Sequence, residues 1–216
     1  MARILIAVPT FETITPDTFK ALWDMEKPPE HEFIFEFVRG YDTASARNNI
    51  ADRAMALNAD YVMMVDSDTT PPGSAFVHLY EHGVDVCMGY YMHRSKGTNA
   101  TTPKTNVCKM ADDDGKRFFG YPAESQMTGD ELRALRDRGE YLHEIHGGGM
   151  GCILINTRVF NEAPYPWFDW VNYPDDNRGL LSEDLYFCET MHNECIPVYV
   201  DTRVSCGHLM RRIEYV

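Results

Sequence analysis

Asp66 and Asp68 stand one residue apart, directly after the apolar run Tyr61-Val62-Met63-Met64-Val65 and before Thr69-Thr70-Pro71-Pro72. The run is short, rich in β-branched and aromatic residues, and bounded by polar residues and prolines, which is the pattern of a buried strand. Two carboxylates this close repel each other unless a cation or hydrogen-bond donors offset them. At the carboxyl end of a strand in an open α/β sheet they occupy the edge where ligands bind. The chemistry available to such a pair is that of hard oxygen ligands for Mg²⁺ or Mn²⁺. The plain alternative is a solvated acidic turn.

Other residues carry chemistry of their own. Arg47 follows Ser45 at a helix start and is suited to bidentate recognition of a carboxylate or phosphate, although an arginine on an amphipathic helix is also ordinary. Glu183-Asp184 follows Ser182, and the same three residues make a well-capped helix start. Gly147-Gly148-Gly149 precedes an apolar run, either to let backbone approach a ligand or as a flexible turn. His208 stands late in the chain, with His93, His143 and His146 as further imidazoles. Tyr165, Trp167, Phe168, Trp170 and Tyr173 suit a sugar-stacking platform and suit a core cluster equally.

These residues need a scaffold, and the first ninety residues supply a regular one. Ile4 to Val8 is a near-continuous apolar run, as for a strand covered on both faces. Pro16 to Trp23 predicts a helix with Thr15 as N-cap and proline at its first position. Phe33 to Val38 predicts a strand, and Thr43 to Leu57 a helix with Ala46, Ile50, Ala54 and Leu57 at helical spacing. After Tyr61 to Val65, a helix over Pro72 to His82 closed by Gly83 leads to a strand over Val84 to Gly89. This β-α alternation predicts an α/β fold with a mostly parallel sheet and helices on both faces.

From 90 to 146 the rhythm weakens. Tyr90 to Tyr121 reads as a hairpin or loop, and Thr128-Gly129-Asp130-Glu131 is a capping-box pattern before a short helix. Strands are predicted over Tyr141 to Ile145, Cys152 to Asn156 and Pro197 to Val200. Helices are predicted from a Thr157 cap through Phe160 and from Ser182 to His192, with Asp175 to Arg178 as a loop before the latter. The 216 residues suit one domain, regular over about 1–90 and less so over about 91–216.

Composition excludes some classes. With 44% hydrophobic and 25% charged residues the chain is an ordinary globular one. A net charge of −13 argues against a nucleic-acid partner. No apolar run is long enough to span a bilayer, and the short apolar N-terminus reads as a first strand rather than a signal peptide, so a cytoplasmic location is the default expectation. The six cysteines form no C-x-x-C pair, which argues against structural zinc. Cys87, Cys152 and Cys188 read as buried thiols.

The order of motifs resembles the glycosyltransferase A fold, in the manner of the family 2 nucleotide-sugar-dependent glycosyltransferases. It runs from Pro9-Thr10 with Glu12, through Ala44-Ser45-Ala46-Arg47-Asn48 and the strand ending Asp66-Ser67-Asp68, to a glycine-rich turn, Glu183-Asp184 and His208. The resemblance implies a nucleotide diphosphate sugar donor held through Mn²⁺ or Mg²⁺. Pro9, Thr10 and Glu12 fall at the nucleoside, together with Arg47, Ser67, Gly148 and Gly149 among the donor-binding positions. Asp66 faces the nucleotide and shares in the metal site, Asp68 holds the ion, and His208 completes its coordination. Asp184 is the implied base towards an acceptor hydroxyl, with Glu183 as acceptor contact or second candidate, which implies inversion. The acceptor, whether saccharide, lipid-linked or protein, and the oligomeric state are not legible. The rival readings are a sugar nucleotidyltransferase, for which Pro9-Thr10-Phe11-Glu12 lacks the glycine- and basic-rich phosphate loop, and a non-catalytic nucleotide-sugar-binding module. A processive polysaccharide synthase is disfavoured because no membrane segment follows the domain.

Overall fold

The computed structural model describes residues 1–11, 13–92, 104–109, 125–173 and 179–209. Glu12, His93, the loop at 175–178 and most of the stretch from 93 to 124 lie outside the described residues.

A seven-stranded sheet runs through the molecule. Its parallel part begins with β1 (Arg3–Thr10), β2 (Glu32–Arg39) and β3 (Tyr61–Val65), with β2 and β3 flanking β1. Between β1 and β2 lies α1 (Pro16–Asp24), and between β2 and β3 lies α2 (Thr43–Ala56). After β3 come the two-residue β4 (Thr69–Thr70), α3 (Ala75–Glu81) and β5 (Val86–Tyr90). The irregular region contributes β6 (Lys104–Cys108), β7 (Gln126–Thr128), α4 (Gly129–Asp137), β8 (Leu142–Ile145) and β9 (Gly147–Gly148). The chain ends through β10 (Cys152–Asn156), α5 (Val159–Glu162), a hairpin of β11 (Val171–Tyr173) and β12 (Gly179–Leu181), α6 (Glu183–Asn193), β13 (Val198–Ser205) and β14 (Gly207–His208).

The strand order is β2-β1-β3-β10-β5-β13-β8. The alternation expected from the sequence holds for β1 to β5, but β10 is inserted antiparallel between β3 and β5. This brings Cys152 opposite Val65, so the glycine-rich segment before β10 lies beside the Asp66–Asp68 turn. Both faces of the sheet are covered. One core combines Leu5, Val62, Met64 and Ile153 with Ile50 and Ala54 of α2, Leu132 of α4 and Phe187 of α6. The other combines Ile4, Ile6, Met63 and Leu154 with Leu22 of α1 and Phe76 of α3.

Local chemistry explains most element ends. Thr15 caps α1, its hydroxyl accepting from the Thr18 amide at 3.2 Å. Asp42 caps α2 through the Ser45 amide at 2.7 Å. The prediction of a helix from Pro72 is corrected: α3 starts at Ala75, because Pro71 to Ser74 form the turn out of β4. Thr157 does not cap α5. Its hydroxyl donates to the Ala59 carbonyl at 2.6 Å, tying the end of β10 to the turn before β3.

The capping box at α4 is complete. The Thr128 hydroxyl accepts from the Glu131 amide at 3.1 Å, and the Glu131 carboxylate accepts from the Thr128 amide at 2.7 Å. Burial pushes the Glu131 carboxyl up, but hydrogen bonds from Lys109 and Thr128 outweigh it and hold it down at about 2. Thr128→Ala removes the hydroxyl that accepts from the Glu131 amide, leaves the backbone bond to the Glu131 carboxylate in place, and is expected to cost about 1 kcal/mol in urea unfolding. An unchanged midpoint would show that the box contributes nothing.

Candidate active site

A cleft of about 420 Å³ opens at the carboxyl edge of the parallel strands, lined by Pro9, Thr10 and Phe11 after β1, Gly40, Asp42, Thr43 and Ala46 around the start of α2, and Asp66, Ser67 and Asp68 after β3. Three successive strand ends and one helix start converge there, as the geometry of a doubly wound sheet dictates. The turn at Gly40 requires a glycine, since a Cβ there would lie 2.2 Å from the Ala46 amide nitrogen. Ser67 also fixes α1, its carbonyl accepting from the Thr15 amide at 3.0 Å. The sequence indicated Pro9, Thr10, Asp66, Ser67 and Asp68. It did not single out the β2–α2 wall, whose only signal is that it too leaves the carboxyl edge.

Below the cleft lies Arg47, 2% exposed. Its Nη2 donates to Asp66 Oδ1 at 2.8 Å, its Nη1 donates to the Met150 carbonyl at 3.4 Å, and its Nε stands 3.5 Å from Glu183 Oε1. Burial alone would lower the arginine's proton affinity, but Asp66, Glu183 and Asp184 outweigh it. Burial raises the carboxyl of Asp66, only partly offset by Arg47 and reinforced by Asp68 and Asp184. Burial likewise raises Glu183 against the pull of Arg47. Of the carboxylate and the phosphate that the sequence allowed as partners, Arg47 meets carboxylates, and Glu183, 6% exposed, turns inward to it. Together they bolt the start of α6 to the end of β3.

Asp184 is placed differently. It is half-buried, and its Oδ1 accepts from the Leu185 amide at 2.8 Å and from the Ser182 hydroxyl. Ser182 thus occupies the N-cap position without capping a backbone amide. Asp184 is near enough to raise the proton affinities of Asp66, Glu183 and Tyr91.

On the other flank, β14 pairs with β4, setting His208 opposite Thr69. His208 Nε2 stands 3.7 Å from Asp68 Oδ1, and the Leu209 amide donates to the Asp68 carbonyl at 2.9 Å. A separation of 3.7 Å is long for a hydrogen bond. It leaves room for a small ion to draw the two together, since ligands about 2.1 Å from an octahedral ion lie about 3.0 Å apart when cis and about 4.2 Å apart when trans. A carboxylate with an imidazole is a donor set that Mn²⁺ accepts more readily than Mg²⁺, because imidazole is a softer donor; the ligand atoms of Asp66, Asp68 and His208 do not all lie within 4.8 Å of one another. A separate group of potential ligands, Glu81, His82 and Asp201, surrounds the Arg203 guanidinium, which lies 2.6 Å from Asp201 and 3.2 Å from His82 and already supplies positive charge there.

No protein-family model matches the sequence, and no curated protein matches it. Solved structures do match. A197 from STIV superposes with a TM-score of 0.61 at 17% identity, over 97% of this chain and 86% of that one. GalNAc-T7, solved with UDP, GalNAc and Mn²⁺, superposes with a TM-score of 0.59 at 9% identity, over 98% of this chain. The fold is glycosyltransferase-like. The chain spans 44% of GalNAc-T7, less than half of its length.

Within this glycosyltransferase-like fold, the glycine cluster serves packing. A Cβ on Gly148 would lie 2.9 Å from Met88 Sδ, and one on Gly149 would lie 2.3 Å from the Tyr91 hydroxyl. The space in the Cβ direction at Gly148 and Gly149 is filled by protein, so close packing by itself accounts for both glycines. The aromatic stretch divides in two. Trp167 and Phe168 are core, Phe168 stacking on Phe187 at 4.8 Å, while Tyr165 and Trp170 are exposed. Asn48 fixes this turn, donating to the Phe168 carbonyl at 2.7 Å and accepting from the Trp167 and Phe168 amides at 3.2 Å. Among the described residues no helix is long and apolar enough to cross a membrane.

Proposed function

We propose that this protein is a metal-dependent glycosyltransferase that moves a sugar from a nucleoside diphosphate sugar to an acceptor hydroxyl with inversion. The observation that carries this reading is the pairing of Asp68 with His208, 3.7 Å apart beside a cleft at the carboxyl edge of the sheet. A protein of net charge −13 repels a diphosphate unless a cation stands between them. GalNAc-T7, with which the fold superposes, was solved with UDP, GalNAc and Mn²⁺.

Asp68 and His208, assisted by Asp66, would hold the ion. When bound it would neutralise the charge that develops on the departing nucleoside diphosphate. The nucleoside would lie between Pro9 to Phe11 and the Gly40–Thr43 wall. Arg47 keeps Asp66 oriented at the floor. Asp184 takes the proton of the acceptor hydroxyl as its oxygen bonds the sugar carbon and the bond from that carbon to the diphosphate oxygen breaks.

A thermal-shift panel of nucleoside diphosphates and their sugars, with and without Mn²⁺, tests the reading. One nucleotide is expected to raise the melting temperature only when Mn²⁺ is present, and Asp68→Ala should abolish that shift. If no nucleotide stabilises the protein, the reading fails. If Asp68→Ala keeps the shift, Asp68 is not a metal ligand.

A further inference from the structure

Tyr91 plays no part in the mechanism above, and nothing in its local sequence singles it out. It follows β5 at the carboxyl edge of the sheet, and its ring centroid lies 4.6 Å from that of His208, tilted by 57°. Its backbone is held on both sides by one buried residue. The Tyr91 amide donates to Asn106 Oδ1 at 2.8 Å, and the Asn106 amide donates to the Tyr91 carbonyl at 3.0 Å. Asn106, 1% exposed, is itself tied to the glycine segment. Its Nδ2 donates to the Gly149 carbonyl at 2.7 Å, and its carbonyl accepts from the Gly149 amide at 3.1 Å.

Two glycines make room for the ring. A Cβ on Gly149 would lie 2.3 Å from the Tyr91 hydroxyl oxygen, and one on Gly151 would lie 2.6 Å from Tyr91 Cε1. Neither glycine is among those with positive φ, which are Gly83 and Gly139. Backbone conformation therefore does not demand glycine at 149 or 151, and the volume of the tyrosine ring does. His208, for its part, sits on a two-residue strand that, among the described residues, pairs with Thr69 and Thr70. So short a strand fixes the backbone but leaves the imidazole direction to its neighbours. Among the described residues those neighbours include Asp68 across the metal position and the Tyr91 ring at its side.

We propose that Tyr91, seated on Gly149 and Gly151, is a positioning residue that holds the His208 imidazole towards Asp68 and thereby tunes cation affinity. The proposal rests on the metal-dependent reading above. Groups that orient a metal ligand without touching the ion typically change affinity by about 10- to 100-fold when removed.

The test is Mn²⁺ titration of the nucleotide-free protein, followed by the electron paramagnetic resonance signal of free Mn²⁺, so that no catalysis is needed. Tyr91→Ala is expected to weaken Mn²⁺ binding about tenfold or more. Tyr91→Phe, which keeps the ring, should bind as wild type does. Gly149→Ala should reproduce the loss with the tyrosine still present, because the added methyl displaces its ring. If Tyr91→Ala does not fold, Tyr91→Leu, which fills the space without a ring, carries the same expectation. Wild-type affinity in Tyr91→Ala or Tyr91→Leu would overturn the proposal while leaving the metal site intact. Failure of wild type to bind Mn²⁺, or undiminished binding by His208→Ala, would instead overturn the metal reading and the proposal with it.

Discussion

Asp184→Asn is expected to lower sugar transfer by about 10²- to 10⁴-fold, the usual worth of a positioned general base. The Mn²⁺-dependent thermal shift with nucleotide should survive, since Asp184 is not among the residues lining the cleft. Asparagine keeps the shape of the side chain and can still accept from the Leu185 amide, so α6 should start where it does now. The adjacent acid makes the comparison sharper. Glu183→Gln alters a side chain that faces Arg47 at 3.5 Å, so its first effect should be on stability. Transfer at the wild-type rate by Asp184→Asn, with product measured directly from labelled donor, would place the base elsewhere. A uniform loss of both transfer and nucleotide binding would mean that Asp184 supports the fold of the cleft and not the proton transfer.

The contrast between these two neighbours shows what a sequence displays and what it hides. Glu183-Asp184 was visible as an acidic pair at a helix start, but which of the two faces a ligand depends on where α6 docks. A helix turns by about 100° per residue, so adjacent acids necessarily point in different directions, and the docking sends Glu183 inward. The sequence singles out Arg47, but its partners are hidden for a related reason. Its buried partners come from β3 and α6, and nothing local to the helix Thr43–Ala56 distinguishes it from the half-exposed Arg53 on the same helix. The strands were more legible. β3 and β10 fall where their apolar runs place them, because a buried strand needs only its own residues to be recognised. The antiparallel insertion of β10 was not legible, since an antiparallel strand covered on both faces shows the same continuous apolar run as a parallel one. Gly149 belongs to the Gly147-Gly148-Gly149 run, for which a close approach is one of two readings, whereas Gly151 is not read that way from the sequence. What approaches is Tyr91, whose position after β5 becomes meaningful only once β10 lies beside that strand.

Arg47→Met is expected to destabilise the protein by about 3 kcal/mol or more, because it leaves two carboxylates without the cation they share. Glu183 side-chain exposure is 8%, and that of Asp66 is 29%. The stranded charge on Glu183 therefore costs more than that on Asp66, which the cleft partly hydrates. The double variant Arg47→Met/Glu183→Leu, which removes the more deeply buried partner as well, should recover much of the loss. The pH dependence identifies the source. Burial already raises both carboxyls above their ordinary values in the folded protein. The folded state therefore holds protons that the unfolded chain releases from about pH 4 upward. Stability from this source is present at acid pH and is lost as pH rises towards the folded-state values. Without Arg47 those values rise further, so the loss deepens and extends to higher pH. The melting temperature of Arg47→Met should consequently fall more between pH 5 and pH 8 than that of wild type, both pH values being chosen on the order of the carboxylate range and above it. An equal deficit at the two pH values would show that the missing side chain costs only packing, and that the Asp66–Arg47–Glu183 charges do not hold the start of α6 to the end of β3.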